Sequence, residues 1–447
     1  MSNLPAAGGQ GQIQEIRIFS NYGGVTSLGD ADFTDGFLDL TLYESILDHS
    51  IRASITLVDT GYRNTAEGQS AIESEDINLT SGEKIEIKVT DGYNQTISCK
   101  GVNHLRINEL QSVDEMVNKT IFSLDLYSKE CIDNELEKTR VTKRYDGKIT
   151  DSVNNILTEV LKTEKKVEID PIGLNNFNFL GHVEKPFYKI LWLAKRCVPD
   201  MPDAKNNLAG YFFWEVFNVD DDGGGYKFKS IDKLWTQTRK RKLIYNDLVT
   251  TPPEYDGKIL AYSFDNSISM DKLLQTGALS KPLLKSFDPY SNKYQETEFT
   301  DVDRLKPENM GGKEPPKIAA DLDIWNTVTR ITPRIFDTGT LPPGTTIEKQ
   351  LEFSKEVNFN MDEILRQSYT RYNNLFTIKL SITIPGDFGI HAGDLIECHF
   401  PEVSSKKRKV VSEKKSGLYI VIDVKHKILP TGFYTQLNLA RESILKK

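Results

Sequence analysis

Little in this chain points to catalysis, metal binding or a membrane. Its four cysteines, Cys99, Cys131, Cys197 and Cys398, lie far apart, and none belongs to a Cys-x-x-Cys pair. That spacing argues against a zinc site and fits thiols kept reduced. Cys99 and Cys398 alternate with apolar neighbours, as buried strand residues do. Histidine is scarce, six in 447 residues. No Ser or Cys stands in a nucleophile-elbow motif beside His104, His391, His399 or His426, so these read as packed or surface residues, not as bases. Gly223, Gly224 and Gly225 lack the following helix and Lys of a phosphate loop and read as a turn. No cofactor or metal is expected. No run approaches the ~18 apolar residues of a membrane-spanning helix. The first residues have neither the basic start nor the apolar stretch of a signal peptide, and 1–11 reads as a flexible arm. Positive charge is in deficit too: 56 Lys and Arg against 64 Asp and Glu give −8. That balance disfavours general nucleic-acid binding, which uses a basic face. An acidic wall would still let a duplex pass without sticking.

What the chain does have is length and aromatic bulk. At 447 residues it exceeds one ordinary core, and two to four domains are expected. The 21 Phe and 18 Tyr supply the apolar surface to fill them.

The first ~130 residues read as antiparallel β. Leu38, Leu40 and Leu42 alternate with polar neighbours, and after a turn at residues 48–50, Ile51, Ala53, Ile55 and Leu57 alternate back. A second hairpin carries Ile85, Ile87 and Val89, turns at Asp91 and Gly92, and returns through Ile97 and Cys99. Phe122, Leu124 and Leu126 add a strand. Residues 60–82 read as a long loop. Turn-separated strands at this spacing suggest a small barrel or sandwich over 12–135.

From 136 to 250 the pattern becomes α/β. Ile149, Val153, Ile156, Leu157, Val160 and Leu161 mark one helix face, with Asp146 or Thr150 as cap candidates. Pro186 suits the first turn of another helix, with Phe187, Ile190, Leu191, Ala194 and Val198 as its apolar stripe. Two aromatic strands follow, 210–215 and 226–231, joined by a polar hairpin tip. Pro252 and Pro253 mark a boundary. From 251 to 360, and above all between 271 and 346, periodicity fades, which suggests an extended excursion with a few short strands. From 361 to 447 a second antiparallel unit appears. A short helix with Ile364, Leu365, Tyr369 and Tyr372 precedes the strict alternation of Ile378, Leu380, Ile382 and Ile384. Leu418, Ile420, Ile422 and Val424 alternate again, and Leu437 and Leu439 close the chain.

In that order, the long N-terminal hairpin, the Pro186 helix, the aromatic hairpin and the C-terminal strands resemble the central baseplate hub of contractile-tailed bacteriophages of the T-even type. At the C-terminal end the likeness rests on Gly393-Asp394, Gly417 with Tyr419, His426, and the run from Leu437 to Arg441. The resemblance implies two tube-like antiparallel β-barrel domains with an inserted α/β segment, a mixed, β-rich fold. It implies a homotrimer presenting six barrels around a channel, an adaptor between the six-fold tail tube and a three-fold spike. Its partners would be a separate spike protein, the tail tube or tube-initiator protein, the tape-measure protein, and DNA passing without specific binding. It implies a place in the virion baseplate, assembled in the host cytoplasm, and no enzymatic activity. A hub of a related contractile injection system stays open. So does a carbohydrate-binding or carbohydrate-processing β protein, with Trp214, Tyr226 and Trp235 as a sugar platform and a carboxylate pair as its chemistry.

Two charged groups remain. Glu215, Asp220, Asp221 and Asp222 lack the ligand alternation of a calcium loop and read as a solvated hairpin tip. Lys406, Lys407, Arg408, Lys409, Lys414 and Lys415 oppose a single Glu413, a local charge of +5 on an acidic chain. They form the candidate contact with an acidic partner, against the plainer reading of a solvated loop.

Overall fold

The computed structural model describes residues 11–23, 25–27, 36–59, 79–116, 119–201, 208–220, 224–246, 251–265, 269–277, 281–288, 292–298, 310–314, 316, 321–335, 361–402 and 411–446. They are mostly β-sheet, with an α/β insertion.

The first β unit comprises β1 (Gln12–Phe19), β2 (Val25–Ser27), β3 (Phe37–Ser45), β4 (Arg52–Asp59), β5 (Lys84–Thr90), β6 (Thr96–Cys99), β7 (Leu105–Met116) and β8 (Lys119–Ser128). The antiparallel order is β3-β4-β8-β7-β5-β1-β2, with β6 on β5. Period-two alternation sets the buried face: Ala53, Ile55 and Leu57 on β4, Ile85, Ile87 and Val89 on β5, Phe122, Leu124 and Leu126 on β8. On β3 the expected alternation fails at its first member. The register slips between Phe37 and Asp39, so Phe37 turns inward and Leu38 faces out.

The insertion begins with α1 (Lys129–Asp133) and continues through β9 (Arg144–Tyr145), α2 (Ile149–Asn155), β10 (Lys166–Asp170), β11 (Phe179–Leu180), α3 (Pro186–Ala194), β12 (Tyr211–Val216), β13 (Gly225–Ser230) and α4 (Ile231–Thr236). α2 runs on as a π-helical turn from Ile156 to Val160. Neither Asp146 nor Thr150 caps it: Lys148 holds the N-cap position without a side-chain bond, and Asp146 pairs with Arg144 at 2.9 Å. On α3 the stripe needs a correction. Phe187, Ile190 and Ala194 are buried, but Leu191 is 36% exposed and Leu193 takes its place inside. Leu193 and Ala194 follow Ile190 by three and four positions, the spacing that keeps one helix face; Leu191 starts the next face.

β12 is the wall on which the molecule is organised. All six of its residues are buried. Tyr211 and Phe213 point into the insertion's own core, whereas Phe212, Trp214 and Val216 enter the core of the C-terminal strands. Just beyond its end, Phe217 and Val219 join the core of the first β unit. Residues 211–219 therefore feed all three apolar clusters, which is why they read as an aromatic run rather than an alternation.

Next come β14 (Arg241–Ile244), β15 (Gly257–Lys258), β16 (Ala261–Asp265), α5 (Met270–Thr276), β17 (Lys281–Asp288), β18 (Lys293–Glu298), β19 (Gly312–Glu314), β20 (Val328–Ile335), α6 (Met361–Leu375), β21 (Ile378–Pro385), β22 (Leu395–His399), β23 (Gly417–Leu429), β24 (Gly432–Arg441) and β25 (Ile444–Lys446). Although β14 precedes Pro252 and Pro253, it pairs parallel with β22, and β16 pairs with β21. The weakly patterned stretch contains a small sheet, β18-β17-β20. Its Leu284 packs in one cluster with Ile364 and Leu365 of α6. β19 pairs with β25. No helix among the described residues is long and apolar enough to cross a membrane.

Candidate functional site

The two β units are not separate sheets. β23 carries β24 along one edge; its other edge holds β22 at Gly417–Ile420 and then β3 at Asp423–Ile428. The ladder thus runs without a break from the C-terminal unit into the first one. Two further bonds reinforce the seam: Ser45 Oγ donates to Asp423 Oδ1 at 2.6 Å, and the backbone N–H of Ile46 to the Ile422 carbonyl at 2.9 Å.

One residue inward, the strand alternation that buries Leu40 and Leu42 also buries Glu44, which has no exposed surface. Its carboxylate accepts the Phe217 N–H at 2.7 Å and the Ala392 N–H at 3.0 Å, and His391 Nδ1 lies 3.0 and 3.2 Å from its two oxygens. Phe217 belongs to the insertion, His391 and Ala392 to the C-terminal unit. A single carboxylate is therefore the point where all three regions meet. Burial alone would push Glu44 up; the His391 charge and the three donors outweigh it and hold the carboxyl below its ordinary value. Burial disfavours the charged imidazole of His391 as well, but Glu44 overcomes this and raises it. The turn carrying His391 is fixed from below. Trp214 Nε1 donates to the Ala392 carbonyl at 3.0 Å, and Gly393, at φ +88°, lies so close that a Cβ there would come within 2.4 Å of the Trp214 ring.

A second buried network sits on the other side of β12. Lys165 Nζ lies 2.6 Å from both Glu130 and Glu215. Glu215 Oε2 also accepts the Ile51 N–H at 3.2 Å, and Thr163 Oγ1 donates to Glu130 at 3.0 Å. Glu130 follows β8 and Ile51 precedes β4, so this network joins the insertion to the first unit. Burial and the neighbouring Glu130 push Glu215 up despite Lys165. The expectation of Glu215 in a solvated tip is therefore overturned: like every residue of β12 it is buried, and it binds Lys165 and the Ile51 N–H.

A polar cleft of about 410 Å³ opens beside the Glu44 network, with His391 and Ala392 in its lining. β10 and β13 supply Lys166, Glu168, Lys227 and Lys229, and the opposite wall carries His391, Gly393 and Asp394. Glu168 binds both Lys227 and Lys229, the latter at 2.6 Å; burial pushes its carboxyl up, but the two ammonium groups pull it down to about 2.

The remaining sequence candidates divide. Lys406, Lys407, Arg408 and Lys409 lie outside the described residues. Lys414 is exposed, and its carbonyl accepts from the buried Arg441 at 2.5 Å. Lys415 is half-buried, with its ammonium 5.7 Å from the Tyr262 ring centre. Asp220 accepts the Thr96 N–H at 2.8 Å and ties the hairpin to the edge of β6; Asp221 and Asp222 lie outside the described residues. His399 and His426 are buried, bonded to Glu397 at 2.7 Å and Thr435 at 2.9 Å. His104 is half-buried, with Nδ1 2.7 Å from the Gly101 carbonyl. Trp214, Tyr226 and Trp235 are all buried core residues, so they form no sugar platform. Sequence reasoning missed Glu44, Glu130 and Lys165. For Glu44 a signal existed: a carboxylate at the next inward position of an alternating strand needs a buried partner.

No family model matches the chain, and no curated protein matches it either. Solved structures do share the fold. The 43 kDa tail protein of prophage MuSo2 from Shewanella oneidensis is 9% identical with a TM-score of 0.54, over 96% of this chain and 98% of that one. A tail protein from Neisseria meningitidis MC58 is 10% identical with a TM-score of 0.51, over 98% of each chain. In fold, though hardly in sequence, this chain is similar to both of these tail proteins from end to end.

Proposed function

We propose that the chain is a structural component of a phage tail, and specifically the central hub of a baseplate. The observation that carries this reading is the end-to-end likeness in fold to two tail proteins. In the hub reading three copies close a ring in which the two β units alternate around a channel. The ring joins the six-fold tail tube to a three-fold spike supplied by a separate protein, with the tape-measure protein and DNA passing through. The role is mechanical and uses no active site. Interfaces that hold such rings are typically on the order of 2,000 Å² or more. Native mass spectrometry of the purified chain, alone and with its spike, tests the reading. A trimer is expected; a chain that stays monomeric even with the spike present overturns it.

In the same reading, Lys406, Lys407, Arg408, Lys409, Lys414 and Lys415 face an acidic surface of a neighbouring tail protein rather than the channel, where cations would retard phosphate. Replacing residues 406–409 with Ser is expected to leave the trimer intact and to weaken one partner's attachment as salt rises, since screening acts over about 8 Å at physiological ionic strength. Unchanged attachment in a pull-down across a salt series would refute this contact.

A further inference from the structure

The Glu44–His391 contact has a property that a purely structural bond does not need: one partner can gain or lose a proton near neutrality and can reach water. Glu44 has no exposed surface, but the His391 side chain is 22% exposed and lines the polar cleft. The imidazole is therefore the solvent-facing half of a pair whose other half touches three regions at once. We propose that Glu44 and His391 form a proton-operated clamp, tight when the imidazole carries its proton and loosened when the proton leaves through the cleft. The proposal does not depend on the hub reading.

The surroundings of the pair favour one response. Glu44 faces His391 from β3, Asp394 from its own turn, Lys240 from the segment before β14 and His426 from β23. Across the cleft, Lys227 and Lys229 are occupied by Glu168. His426 is driven down to about 4 by burial, so it is uncharged throughout the neutral range. Asp394 is raised by burial, against the pull of the His391 charge and of the His391 N–H it accepts. Of the two histidines near Glu44, His391 is thus the one that this carboxylate holds in its charged form.

The sign follows from linkage. The imidazole is held above its ordinary value of about 6.5, so the folded protein binds this proton more tightly than the unfolded chain does. The stabilisation is complete below about pH 6.5 and is lost as pH rises through the raised value, by at most about tenfold in the opening equilibrium per pH unit for one proton. At the acid end, Glu44 is held below its ordinary value, so its contribution disappears only as pH falls through that lowered value. A neutral imidazole can still donate from Nδ1 but no longer opposes the buried carboxylate charge; the clamp loosens without breaking every bond.

Two measurements on the full chain test this. Imidazole titration by NMR should place His391 above the ordinary histidine value in the wild type, and at or below it in Glu44→Gln. Amide exchange at Phe217 and Ala392, corrected for intrinsic rates, should show protection falling by up to about tenfold per pH unit above pH 6.5. That slope should vanish in His391→Gln and persist in His426→Gln. A wild-type His391 that titrates at or below its ordinary value refutes the clamp, as does a slope that survives His391→Gln. Should the variants fail to fold, the wild-type titration decides alone.

Discussion

Glu44 is met by three donors, two of them backbone N–H groups fixed by the fold, and its carboxyl is held down. Glu215 has to share the single ammonium of Lys165 with Glu130, and its carboxyl is pushed up. Both are buried glutamates at the edges of one aromatic wall, and both tie the insertion to the first β unit. The difference shows that burial does not by itself decide which way a carboxyl shifts; Glu44 faces the opposite charge of His391, whereas Glu215 faces the like charge of Glu130 as well as Lys165. It also gives the two networks different jobs. The Glu44 side is specific in geometry, since it reads the positions of two amides and a ring. The Glu215 side is a charge cluster that depends on its one cation.

That contrast breaks hardest at Lys165. Lys165→Met leaves two buried carboxylates facing each other and should cost about 3–5 kcal/mol in denaturant unfolding at pH 7. A cost under ~1 kcal/mol would show that the carboxylates find other partners. Glu44→Gln should cost less, about 1–3 kcal/mol, because an amide keeps the volume but turns a donor toward an amide N–H. Glu215→Gln should be milder still, within about 1 kcal/mol, since the amide oxygen can keep one bond while the excess negative charge is removed. Here the pH sign separates the pair. The raised carboxyl of Glu215 contributes stability that is complete below its unfolded value of about 4.5 and is lost as pH rises through its folded value. Glu215→Gln should therefore flatten the loss of stability above that pH, and an unchanged profile by thermal melt would reject the assignment. The smallest effect is expected at the exposed Leu191, where Ala should shift stability by no more than about 0.5 kcal/mol, against about 2–5 kcal/mol for Leu193→Ala on the buried face of the same helix.

Much of the fold was readable because alternation is a local signal. Ile85, Ile87 and Val89, or Ile378, Leu380, Ile382 and Ile384, announce their buried faces without any knowledge of the partner strand. What could not be read was the partner itself. Ser45 and Asp423 meet across 378 positions of sequence, and any alternating strand would satisfy another equally well. The candidate site suffered most from this. Glu215 seemed solvated because Asp220, Asp221 and Asp222 follow it, yet its environment is set by Lys165 and Ile51, which the chain brings in from far away. Leu38 and Leu191 failed for smaller reasons, a bulge that shifts the register by one residue and a choice between two leucines two positions apart on one helix.

The seam on β23 has a mechanical consequence. Pulling the first unit away along the strand direction would load the six residue pairs between β3 and β23 together, in shear, because they lie side by side along one edge. Pulling it sideways would open them one after another from an end, like a zipper. The same ladder is therefore stiff along one axis and yielding across it. Two β units joined in this way transmit axial force as one beam, while the angle between them stays the softer coordinate.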